Sequence, residues 1–139
     1  MFDVIAHVSW LGVALAALAY YILGAIWFTP LFGKTWDRAI GHEVSGARRF
    51  GADYYIVPLV SAVLVSVALG VLLAVAAPAS MSEALIVGVI VGGGVALPVS
   101  MNNALTPHTP HPYVFGAVTG GYHMVGIVVV AAVLGGFMT

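Results

Sequence analysis

The sequence predicts an all-α integral membrane protein, one domain built as a bundle of four transmembrane helices. Three observations carry that prediction. First, the 139 residues are 62% hydrophobic and 6% charged, whereas a soluble domain carries about 25% charged residues. So few charges cannot coat a water-facing surface of this size, so lipid must be the solvent for most of it. Second, residues 4–33, 54–82 and 84–139 contain no Asp, Glu, Lys or Arg. A helix needs about 20 apolar residues to cross the hydrocarbon core. Third, the last stretch is long enough for two spans and is broken by Thr106-Pro107-His108-Thr109-Pro110-His111-Pro112. Prolines spaced this closely cannot continue a helix.

The elements follow in order. The first span is expected at 4–28, with Trp10 and Trp27 near its ends, as interfacial aromatics are. Asp3, the lack of an early Lys or Arg, and an apolar run reaching Phe28 favour a retained helix over a cleaved leader. The loop 29–53 is long for a connector. Its segment Lys34–Ile40 reads as a short surface helix with Trp36 and Ile40 turned inward, bounded by Gly33 and Gly41. The second span is expected at 54–77. Asp53 precedes it, where a carboxylate suits the positive end of the helix dipole, and Tyr54 and Tyr55 mark the interface. Ser80-Met81-Ser82-Glu83 reads as a capping box that opens the third span, 82–105. Gly92-Gly93-Gly94 and Pro98 should bend that helix. The fourth span is expected at 113–137, with Tyr113 at its start.

All four Lys and Arg side chains (Lys34, Arg38, Arg48, Arg49) fall in the first loop. The positive-inside rule then places that loop and the Pro/His loop in the cytoplasm and both termini outside.

Composition also excludes functions. The net charge of −1 gives no basic surface for nucleic acid. Absence of cysteine removes disulfides, thiolate metal sites and cysteine nucleophiles. No carboxylate or lysine lies inside a span, which argues against a pump built on a buried carboxylate and against a retinal-type lysine. No catalytic motif is present and no cofactor is implied. His42, His108 and His111 are the weak metal candidates, because imidazoles bind zinc, copper or nickel. The spacing lacks a supporting Cys or carboxylate, so no metal site is expected.

Helices pack in lipid through small residues that let backbones approach. Gly88 and Gly92 supply such a face on the third span, Gly116 and Gly120 on the fourth, Gly12, Ala16 and Ala19 on the first, and Ala62, Ser66 and Gly70 on the second. His123 falls on the Gly116/Gly120 stripe of the fourth span, at mid-depth, with Thr119 one turn nearer the Pro/His loop. Asn102 and Asn103 straddle the Gly88/Gly92 stripe if the third helix stays regular. Together Asn102, Asn103, Thr119 and His123 form a candidate polar track. The plainer reading of the same residues is a hydrogen-bonded clamp between helices.

Two stretches carry a family resemblance. Gly24-Ala25-Ile26-Trp27-Phe28-Thr29-Pro30-Leu31-Phe32-Gly33-Lys34-Thr35-Trp36 and Gly120-Gly121-Tyr122-His123-Met124-Val125-Gly126 resemble the domain of unknown function 1761 family, small bacterial membrane proteins with four helices. The resemblance implies that fold but no activity, and it singles out Trp27, Pro30, Gly33, Trp36, Tyr122 and His123. Two functions remain in competition. One is an oligomeric transport or channel-like protein for a small solute. The other is an accessory subunit that holds another membrane protein. A lipid-modifying enzyme using His123 and Tyr122 is the weakest option, because no nucleophile accompanies them.

Overall fold

The computed structural model describes residues 2–42 and 51–138, and every described regular element is helical. Arg48 and Arg49, half of the positive charge used for orientation, lie outside the described residues. Helix α1 spans Phe2–Ala6 and α2 spans Trp10–Ile26, running on through a wide π-type turn at Trp27–Leu31. Short α3 covers Gly33–Ala39, and α4 covers Asp53–Ala76. Helix α5 (Met81–Val91) continues through a second π-type turn, Gly92–Ala96, into α6 (Leu97–Ala104). Helix α7 spans Pro112–Gly135. Among the described residues four stretches are long and apolar enough to cross a membrane: Trp10–Leu31, Asp53–Ala76, Met81–Ala104 and Pro112–Gly135. The protein is thus an all-α chain with four transmembrane-type helices.

The first span starts later and ends later than the sequence suggested. Ser9 is its N-cap, with extended backbone, and its hydroxyl accepts from Gly12 N–H at 3.1 Å. A capping serine satisfies a donor that the helix cannot, and this favours a break at His7–Ser9 over a continuous helix. At the other end Pro30 has no N–H to donate. The chain answers with a wide turn in which Phe32 N–H reaches the Trp27 carbonyl at 2.8 Å, and the Thr29 hydroxyl donates back to the Ala25 carbonyl. Ser80 caps α5, as its sequence indicates: its Oγ accepts from Glu83 N–H, while the Glu83 carboxylate accepts from Ala79 N–H at 2.8 Å.

Helix α7 is the hub. It packs on α2, on α5–α6 and on α4, and has the largest buried share of the four spans. Glycines set the approach. A Cβ on Gly88 would lie 2.6 Å from the Ala131 Cβ, and one on Gly92 would lie 2.9 Å from the Met124 carbonyl oxygen. Within α4 the buried positions Ala62, Ser66, Leu69, Gly70 and Leu73 form one stripe. Ahead of that stripe, residues 53–61 of α4 are all exposed.

The second π-type turn changes what α6 presents. In a regular helix the stripe through Gly88 and Gly92 would continue to Asn102 and Asn103. The wide turn inserts an extra residue and shifts the phase by about 100°. The face toward α7 therefore runs Gly88, Gly92, Leu97, Met101, Ala104, and Gly116 and Gly120 pack on Met101, Ala104 and Leu97. Asn102 and Asn103 are exposed on the outside of the bundle.

Candidate functional site

The two stretches that carry the resemblance meet in space. Trp27 at the end of α2 donates its indole N–H to the Val118 carbonyl of α7 at 3.0 Å. Its ring lies against Phe32 (4.6 Å between centroids). Phe28 meets Tyr122 edge-on at 5.1 Å and Trp36 of α3 at 5.9 Å. Trp36 in turn rests on Phe115 of α7 at 6.1 Å. An aromatic seam thus pins α2, the wide turn and α3 to the first half of α7. Gly33 permits the sharp entry into α3, since a Cβ there would stand 2.7 Å from the Phe28 carbonyl oxygen.

The Pro/His loop closes the same end. His111 N–H donates to the Ala39 carbonyl at 3.1 Å, and Gly41, with φ +74°, turns against Pro110. His42, His108 and His111 are all exposed. Among the described residues no three His, Cys, Asp or Glu side chains gather as a metal site would need.

At the inner end of the seam stands the pair that defines the site. The Tyr20 hydroxyl and His123 Nδ1 are 2.5 Å apart. With the ring proton on Nε2, the phenol donates to Nδ1, and the Nε2–H is left to face whatever else enters. Tyr20 stacks on Tyr122 with centroids 5.0 Å apart, and the Tyr122 hydroxyl donates to the Tyr20 carbonyl at 3.3 Å. Gly126 makes room for the Tyr20 ring: a Cβ at this position would overlap it. Gly24 does the same for the Tyr122 hydroxyl.

Depth distinguishes this pair from an interfacial contact. Tyr20 is at the middle of the span Trp10–Leu31, and His123 at the middle of Pro112–Gly135. At 1.5 Å per residue His123 stands about 16 Å from the start of α7. Tyr20 is buried, while His123 and Thr119 are half-buried, although buried Gly116, Gly120, Tyr122, Gly126 and Ile127 surround them on α7. The Thr119 Oγ1 atom is itself buried and has no hydrogen-bond partner within the protein. Thr119 precedes His123 by one turn on the same face.

The structure thus brings His123, Thr119 and Tyr122 together with Trp27, while Pro30, Gly33 and Trp36 build the adjoining turn. Asn102 and Asn103 stand apart from them, exposed on the outside of the bundle. Tyr20 was missed in the sequence, although it lies on the Gly12–Ala16 stripe, four residues beyond Ala16.

The fold and site define a four-helix membrane protein whose polar centre is a tyrosine–histidine pair clasped between its first and last spans. The chain belongs to the DUF1761 family of proteins of unknown function, whose family model matches residues 11–135. No curated protein and no solved structure matches it significantly.

Proposed function

We propose that this protein carries a small polar solute across or into the membrane by way of the Tyr20–His123 pair. One observation carries the reading: a half-exposed imidazole sits at mid-span on the packing face of α7, held at 2.5 Å by the Tyr20 hydroxyl. Polar groups at that depth are costly unless a partner or a permeating species satisfies them. Tyrosine fixes one ring nitrogen, so the other is presented in a set orientation. In this reading the protein resides in the cell membrane of a bacterium, as the family resemblance implies. The positively charged first loop and the Pro/His loop face the cytoplasm, and both termini lie outside.

The test is permeability. Proteoliposomes containing the full chain, mixed rapidly with hyperosmotic urea or glycerol, should recover volume faster than protein-free liposomes. His123→Ala should return the rate to that of the bare bilayer. Equal recovery with and without the protein for both solutes, together with no protein-dependent proton flux, would refute the proposal.

A second reading rests on a different observation. Residues 53–61 of α4 are exposed, and a second copy or another membrane protein could cover them. In that accessory role the Tyr20–His123 pair is a clamp that sets the angle between α2 and α7. Cross-linking in native membranes through a photoreactive residue at Val57 separates the two readings. A specific adduct supports the accessory role, and lipid adducts alone oppose it.

A further inference from the structure

The buried polar groups do not stop at His123. Ser66 of α4 is fully buried, in the middle of that helix's packed stripe, and its Oγ has no hydrogen-bond partner within the protein. Its level in the bundle follows from its neighbours. Gly70 packs on Val13 and Val8 of the first span and its lead-in, and on Leu134 of α7. Because α2 and α4 run antiparallel, one turn back along α4 from Gly70 matches one turn forward along α2 from Val13. Ser66 therefore lies about 6 Å deeper than Gly70, between the levels of Val13 and Tyr20. Gly70 itself lines a cavity of about 320 Å³ at the end of the bundle that holds the termini, together with His7, Ser9, Leu73, Leu134 and Phe137.

In depth the polar groups thus follow one another from Thr119 through His123 with Tyr20 and Ser66 to the cavity at the termini end. The side chains beside this line, Val13, Leu73 and Val130, are buried and closely packed. A solute with a carbon skeleton would have to part the helices to pass them. A proton would not, because it moves by exchange between hydroxyls, an imidazole and intervening single waters. Unpaired hydroxyls such as Ser66 Oγ and Thr119 Oγ1 are where such waters would bind, since each is a polar group left without a partner within the protein.

The geometry points to a proton as the permeating species, with Ser66 linking the Tyr20–His123 pair to the cavity at the termini end. This rests on the transport reading above and narrows it. The transfer balances at each step. His123 takes a proton on one ring nitrogen and releases one from the other. Each hydroxyl or water accepts one proton as it donates its own, and no charge remains on the chain after a passage.

The test uses full-length protein in liposomes loaded with pyranine, a pH-reporting dye, with a potassium gradient and valinomycin to drive protons inward. The wild type should acidify the lumen at least ten-fold faster than protein-free liposomes. Ser66→Ala removes one unpaired hydroxyl from a packed site, leaves the fold intact, and should cut the rate at least ten-fold. Tyr20→Phe should do the same, while Ser61→Ala, on the exposed part of α4, should change nothing. Proton flux that Ser66→Ala leaves unaltered would overturn the proposed link. Urea or glycerol permeation that depends on His123, without proton flux, would overturn it too, yet keep the broader transport reading. Absence of both fluxes would overturn both.

Discussion

Gly126 offers the sharpest test of how the site is assembled. A Cβ at this position would overlap the Tyr20 ring, so Gly126→Ala forces α2 and α7 apart or turns the tyrosine out of place. Overpacking of this kind costs about 1–3 kcal/mol, and loss of the Tyr20–His123 hydrogen bond adds about 1 kcal/mol. Alanine's better helix propensity returns up to about 1 kcal/mol, which leaves a net loss of about 1–4 kcal/mol. Gly94 is the control, because a Cβ there meets nothing within 4 Å. Gly94→Ala keeps the propensity gain without the clash and should be neutral or stabilising by up to about 1 kcal/mol. Unfolding of both variants in mixed SDS and mild-detergent micelles, followed by circular dichroism, measures the difference. Equal stability of the two variants would refute the packing described for Tyr20.

Other substitutions probe separate parts. Trp27→Phe keeps the aromatic seam but leaves the Val118 carbonyl without its indole donor, and should cost about 1 kcal/mol in the same unfolding assay. Ser80→Ala removes the cap of α5 and should cost about 1 kcal/mol. The chain has no cysteine, so single cysteines report topology cleanly. Residues introduced by Lys34→Cys and Thr109→Cys should react with a membrane-impermeant maleimide from the same side, and that from Ala79→Cys only from the other. In the proposed orientation the shared side is the cytoplasm, and labelling of Lys34→Cys from outside intact cells would reverse it.

Much of the fold was legible because lipid imposes a coarse rule: long uncharged stretches must be helices. The Pro107–Pro112 break and the Ser80 cap fixed two connections by local chemistry alone. Gly116, Gly120 and His123 share a stripe that survives intact because α7 is regular throughout. Asn102 and Asn103 show where such extrapolation fails. One wide turn at Gly92–Ala96 rotates everything after it, and no local signal beyond the glycine run reveals that a residue has been inserted. The first span shows the same limit at Trp27–Leu31: its expected end at residue 28 is passed, because a wide turn absorbs Pro30. Tyr20 escaped notice for another reason. Its partner is 103 residues away, and long-range pairing leaves no trace in the periodicity of one helix. Ser66 looked like a small packing residue, and only its complete burial without a partner sets it apart.

The most direct measurement is solid-state ¹⁵N NMR of histidine-labelled protein in lipid bilayers, with the His123 signals identified by their loss in His123→Ala. A phenol donating to Nδ1 predicts an unprotonated, hydrogen-bonded Nδ1 and a protonated Nε2, with the Nδ1 resonance moving when Tyr20 is replaced by phenylalanine. An Nδ1 resonance that Tyr20→Phe leaves in place would mean that the two side chains do not meet in the membrane, and the site described here would not exist.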